Sequence, residues 1–122
     1  MKWHGACLCG AVAFSGEGRA VAAHECHCGQ CRRWSGHVWA YVTMRWPALH
    51  FSRDEALCWY RHSPRATRGF CGTCGSGLFW RPEGTNRVDV SAGALDLPTG
   101  LRLGSVSYPQ YRGDYCVPGW LK

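Results

Sequence analysis

Seven of the nine cysteines fall into three clusters: Cys7-Leu8-Cys9-Gly10, Cys26-His27-Cys28-Gly29-Gln30-Cys31 and Cys71-Gly72-Thr73-Cys74-Gly75, while Cys58 and Cys116 stand alone. A tetrahedral zinc with bonds of about 2.3 Å sets its sulfurs about 3.8 Å apart, which a C-x-x-C turn supplies as the chain curls around the metal. The glycines after Cys71 and Cys74 permit that curl by accepting positive φ. In C-x-C both side chains leave an extended chain on one face, which makes a poor disulfide and a good chelate. Seven thiolates fall one short of two four-sulfur sites. That shortfall predicts one closed, structural site and one with an open fourth position, where zinc does chemistry. Cys26, Cys28 and Cys31 lie close together in sequence and form the open site. The pairs Cys7/Cys9 and Cys71/Cys74 then join across the chain and clamp a long loop. Two Zn²⁺ per chain are expected, zinc being favoured over iron.

A three-thiolate zinc carries a net charge of −1, which makes it a weak Lewis acid for generating hydroxide and a good partner for a soft ligand. A substrate thiol in the fourth position would be held as thiolate, ready to add to an aldehyde or to be expelled from a thiohemiacetal. His27 is the alternative fourth ligand, but its flanking ligands use the neighbouring backbone and turn the ring away. His4, His24, His37, His50 and His62 lack ligand spacing and read as surface or strand residues. The deaminase signature H-x-E with P-C-x-x-C is unmatched, since His24 and Glu25 are adjacent and no proline precedes Cys28. Arg32 and Arg33 are candidates for meeting the carboxylates of an anionic thiol, or else are solvated or paired with Glu25 or Asp54. Trp34 is expected in the core. Cys58 and Cys116 are expected not to be ligands.

These residues need a scaffold, and 122 residues provide one domain, 1–122, with a modest core that gains from cross-links. The longest stretches free of charge and imidazole, Gly5 to Gly16 and Gly69 to Trp80, have 12 residues each, far short of the about 20 residues of a membrane helix. No apolar run follows Met1-Lys2-Trp3-His4-Gly5, so a cytoplasmic protein with reduced thiols is expected, in which clustered cysteines bind metal. The net charge of +6 comes from 14 Lys+Arg against 8 Asp+Glu and weakly favours an anionic partner.

Short β-branched and aromatic runs separated by glycine and proline turns predict a mainly β domain. Strands are expected at Ala11–Phe14, Ala20–Glu25, His37–Thr43, Leu57–Arg61, Arg68–Phe70, Leu78–Trp80 and Arg87–Ser91. Turns are expected at Ser15–Gly18, Ser63-Pro64, Gly72, Gly75–Gly77 and Pro82–Gly84. One helical turn is expected at Cys31–Trp34, stopped at Gly36, and Pro47 breaks the chain. The tail from Pro98 onward is expected to be irregular but ordered.

Four ordered blocks carry a family resemblance: Gly5-Ala6-Cys7-Leu8-Cys9-Gly10-Ala11-Val12, Cys26-His27-Cys28-Gly29-Gln30-Cys31-Arg32-Arg33, Arg68-Gly69-Phe70-Cys71-Gly72-Thr73-Cys74-Gly75-Ser76 and Gly93-Ala94-Leu95-Asp96. Together they resemble the glutathione-dependent formaldehyde-activating (Gfa-like) family, which also includes the centromere protein V domain. The resemblance implies a small zinc-stapled multi-stranded β domain. Its first and third clusters hold structural zinc (Cys7, Cys9, Cys71, Cys74) and its middle cluster catalytic zinc (Cys26, Cys28, Cys31). It also implies a carbon–sulfur lyase activity, the reversible condensation of glutathione with formaldehyde to S-hydroxymethylglutathione. The competing expectation is a zinc-stabilised, non-catalytic binding module. In that case Arg32-Arg33-Trp34, Trp59-Tyr60-Arg61 and Trp80-Arg81 meet nucleic acid or protein by stacking and phosphate neutralisation.

Overall fold

A computed structural model describes residues 1–116. These residues form ten strands and one short α-helix: β1 (Lys2–Ala6), β2 (Ala13–Glu17), β3 (Ala22–Cys26), α1 (Gly29–Ser35), β4 (Trp39–Arg45), β5 (Leu49–Arg53), β6 (Leu57–Ser63), β7 (Ala66–Cys71), β8 (Gly77–Pro82), β9 (Arg87–Ser91) and β10 (Arg102–Ser107). Three strands make an antiparallel sheet in the order β1-β2-β5. Seven make the larger sheet, β10-β3-β4-β9-β8-β7-β6, antiparallel except where β10 runs parallel to β3. No helix of the described residues is long and apolar enough to cross a membrane.

The two sheets share one core. Trp3, Phe14 and Leu49 of the small sheet cluster with Val42, Met44, Phe79, Val88 and Val90 of the large one. The Phe14 and Phe79 rings meet edge-on at 5.0 Å. Gly16 lets the sheets approach, because a Cβ there would stand 2.6 Å from Met44 Sδ. That contact explains why Ser15, Gly16 and Glu17 continue β2 instead of forming the expected turn. The turn lies earlier, where Gly10 adopts φ 82° between β1 and β2.

Strand alternation gives the large sheet a second, polar face. Across β4-β9-β8-β7, Thr43 pairs with Asp89, Asp89 with Trp80, and Trp80 with Arg68. The intervening Val42, Val90 and Phe79 face the core. This face backs α1. The helix is the expected turn lengthened at both ends, and it stops at Gly36, whose φ of 87° forms the left-handed C-cap.

The tail requires a correction. Within it Arg102–Ser107 forms β10, with a bulge between Leu103 and Val106. Nearly all of its side chains are exposed, so no alternating pattern marks it, and its partner β3 lies about 80 residues earlier in the chain. Strands β1 and β5, for which no expectation was formed, complete the small sheet.

Candidate metal centres and the cavity beside them

The β1–β2 and β7–β8 connections bring the first and third cysteine clusters together. The sulfurs of Cys7, Cys9, Cys71 and Cys74 lie within 4.8 Å of one another. Cys7 and Cys9 are 3.7 Å apart, and Cys9 and Cys71 are 3.8 Å apart. These distances match the about 3.8 Å edge of a zinc–sulfur tetrahedron. Gly10 and Gly75 both take φ 82°, which turns each connection around the sulfurs. Backbone donors point at the cluster, Val12 N–H to Cys7 Sγ at 3.2 Å and Cys74 N–H to Cys71 Sγ at 3.4 Å. The Ser76 hydroxyl, 3.2 Å from Cys74 Sγ, with the Ser76 backbone N–H, holds the Cys74 thiol down to about 5. Ser76 also accepts from Leu8 N–H at 3.0 Å, tying the two connections together.

The middle cluster is built at the junction of β3 and α1. Cys26 ends the strand, Cys28 caps the helix by accepting from Cys31 N–H at 3.4 Å, and Cys31 is buried in the first turn. Their three sulfurs lie within 4.8 Å of one another. Burial raises the Cys31 thiol, and contact with Cys26 and Cys28 raises it further. Cys28 is shifted down despite its burial, because the Cys31 N–H and neighbouring thiols favour its thiolate. Three sulfurs this close cannot all ionise without an opposing charge, which a divalent cation would supply. Both donor sets fit zinc.

His27 does not join the three sulfurs. Its ring turns to Glu25, with Nε2 3.6 Å from the carboxylate, and lies edge-on to His37 at 6.1 Å. Cys58 and Cys116 also lie outside both clusters. Cys58 is exposed and donates weakly to Ala56 O at 3.7 Å, its sulfur resting against Gly72. Replacing Cys58 and Cys116 together with alanine should leave the metal content per chain unchanged, measured after anaerobic preparation. Loss of one equivalent would overturn the seven-ligand scheme.

A cavity of about 530 Å³ opens beside the middle cluster, lined by Cys26, Cys28 and Cys31. Its walls carry Trp39, Tyr41, Trp80 and Tyr108, and its cations are Arg65, Arg68 and Arg87. Arg87 is held by Asp89 in a bidentate pair, at 3.1 and 2.8 Å, and Thr43 donates to the same carboxylate at 2.7 Å. Arg65 has no ion-pair partner among the described residues. Arg32 and Arg33, expected beside the open site, are not among the lining residues. Trp34, expected in the core, is only half-buried and lies outside the core cluster, edge-on to Trp39 at 5.4 Å and packed against Gly77. Trp59 and Trp80 pair with the adjacent Gly69 and Arg68, so they sit on opposite faces of the sheet and form no continuous stacking platform.

The sequence profile of the glutathione-dependent formaldehyde-activating enzyme family matches residues 2–108. The chain belongs to that family. Both cysteine centres, the α1 cap and the whole cavity wall lie inside the matched segment. A crystal structure of a Rhodobacter sphaeroides protein, solved as a structural-genomics target, is similar at 28% identity and a TM-score of 0.66, covering 85% of this chain and 100% of that one. No curated protein matches. Membership links the Gfa-like chain to glutathione and formaldehyde chemistry, for which the cavity at the three-cysteine cluster is the candidate site.

Proposed function

We propose that the chain is a carbon–sulfur lyase of the S-(hydroxymethyl)glutathione synthase type, acting in the reducing cytosol on a small thiol such as glutathione and an aldehyde such as formaldehyde. Cys7, Cys9, Cys71 and Cys74 hold a structural zinc, and Cys26, Cys28 and Cys31 hold a catalytic one. The observation that carries this reading is the opening of a three-sulfur cluster, one ligand short of a tetrahedron, into a cavity large enough for a small substrate. When bound there, zinc supplies a soft fourth position that keeps a substrate sulfur deprotonated.

The chain's own residues do the rest. Arg65, unpaired on the cavity wall, meets the carboxylates of an anionic thiol. Arg32 and Arg33, on the helix that carries Cys28 and Cys31, add to the positive field that draws such a thiol in. Trp39, Trp80 and Tyr108 exclude water from the reacting atoms. In the forward direction the sulfur lone pair forms the C–S bond and the carbonyl π pair moves onto oxygen, which takes up a proton. Tyr41, on the cavity wall, would give that proton from its phenolic oxygen and regain one from solvent, which takes up the proton the thiol loses on binding. Burial, then the nearby Asp89 carboxylate, raises Tyr41 above the ordinary phenol value, so it stays protonated.

Tyr41→Phe should therefore lower kcat by roughly a hundredfold, the scale of a lost general acid, with metal content and KM for thiol little changed. In the parent enzyme the alkaline loss of rate should lie above about pH 10, the ordinary phenol value. A Tyr41→Phe variant with parental kcat would remove the phenol from the mechanism.

Cobalt substitution tests the whole reading. Adding glutathione should strengthen the thiolate-to-cobalt charge-transfer band, and the enzyme should speed exchange between free and hydroxymethylated glutathione seen by NMR. A cobalt spectrum already showing a fourth protein ligand and indifferent to thiols would close the site and leave the binding-module alternative.

A further inference from the structure

Arg68 is an unusual residue for the interior of a small β protein. It is 5% exposed on β7, yet no carboxylate pairs with it among the described residues. Its guanidinium carbon lies 4.9 Å from the Trp34 ring centre and 6.0 Å from that of Trp39, so the cation is clamped by aromatic rings. Nη2 donates to Gln30 Oε1 at 3.4 Å and lies 3.8 Å from Cys31 Sγ. Nη1 is buried without a hydrogen-bond partner. A buried guanidinium without a counter-ion is strongly disfavoured. The neighbouring Arg87 shows the ordinary solution, a bidentate carboxylate. What Arg68 faces instead is a sulfur of the three-cysteine cluster.

The charges explain the arrangement. Three thiolates outweigh a divalent cation by one negative charge, and holding that excess in a partly desolvated pocket is costly. One guanidinium brings the centre to neutrality, and its N–H donor withdraws electron density from the Cys31 sulfur.

We infer that Arg68 is the counter-charge of the three-cysteine cluster: it pairs with the sulfur of Cys31, offsets the excess negative charge of the metal centre, and so sets how tightly that centre is held. The inference rests on the reading that this cluster binds a metal. Arg68 is a positioning residue that acts through Cys31. The unpartnered Nη1 and the missing carboxylate are the marks of a cation whose anion is the loaded centre.

The test is anaerobic cobalt titration, with a chromophoric chelator as competitor, of the full-length parent, Arg68→Met and Arg68→Lys. Methionine fills a similar volume without charge, and lysine restores the charge without the planar fork. Arg68→Met should bind the second cobalt about 10–100-fold more weakly, the usual cost of losing a residue that supports a metal ligand, while the four-cysteine site is unaffected. Its thiolate-to-cobalt band should move to longer wavelength, because the donor that stabilised the sulfur lone pair is gone. Arg68→Lys should recover affinity to within about threefold of the parent, since charge is the larger part of the effect. An Arg68→Met protein that keeps the parental second-site affinity and band would reduce Arg68 to packing and overturn the inference. Should Arg68→Met fail to melt cooperatively, Arg68→Lys decides alone: retention of the second metal supports the inference, and a folded protein without it overturns it. A parent that takes up only one cobalt would overturn both this inference and the proposed function. A two-cobalt parent with indifferent variants would overturn this inference alone.

Discussion

Cys71→Ser should give a protein that is insoluble or melts without cooperativity. Cys71 is fully buried, receives two backbone N–H groups from its own turn, and lies 3.8 Å from Cys9 across a separation of 62 residues. It therefore ties a connection of the small sheet to one of the large sheet. Without it three sulfurs remain, with a weakly ligating hydroxyl buried among them. Structural zinc contributes roughly 10–16 kcal/mol of apparent binding energy in small peptides. Total stabilities of domains are about 5–15 kcal/mol. Losing even half of that metal's contribution would leave little net stability. The checks are solubility, a thermal melt and metal content. A soluble, cooperatively melting variant with both metals would show that these four sulfurs do not carry the fold.

How far the chain could be read in advance depended on whether the information was local. The C-x-C and C-x-x-C spacings hold the geometry of each half-site within a few residues, and counting ligands was enough to join Cys7 and Cys9 to Cys71 and Cys74, now found within 4.8 Å. Strand β9 ends where Arg87 and Ser91 were expected to end it, because Val88 and Val90 alternate with polar residues. Strand β10 escaped because its side chains are exposed on a sheet edge, leaving no periodic mark. The cavity wall escaped for a different reason. Tyr41, Asp89, Trp80 and Arg68 come together only through strand pairing across β4, β9, β8 and β7. Arg68 stood out in the sequence only as the start of an expected strand and of the family block that ends in Ser76. Arg32 and Arg33 are nearest to Cys31 in sequence, but each helical step turns the side chain by about 100°, so Arg33 swings away from the face that holds Cys28 and Cys31. Neither lines the cavity, and the arginines that do come from the β6–β7 turn, β7 and β9.

Cys28→Ser should separate folding from chemistry. The variant should stay soluble, melt cooperatively within a few degrees of the parent, keep one metal and lose the second, with turnover falling to background. Cys26, Cys28 and Cys31 are close in sequence, so their metal closes only a short loop and removes little entropy from the unfolded chain, unlike the long clamp made by the other four. The helix should also survive. Cys28 is the N-cap of α1, its sulfur accepting from Cys31 N–H, and serine is a preferred N-cap that can accept the same hydrogen bond. What serine cannot replace is the soft anionic ligand, since its hydroxyl stays protonated where a thiol would release its proton to solvent on ligating zinc. Metal analysis, a thermal melt and the NMR exchange assay decide the matter together. Collapse of the fold would make the middle cluster structural, and undiminished turnover with one metal would place the chemistry elsewhere. A folded, one-metal, inactive protein would leave the three-cysteine cluster as the seat of the reaction.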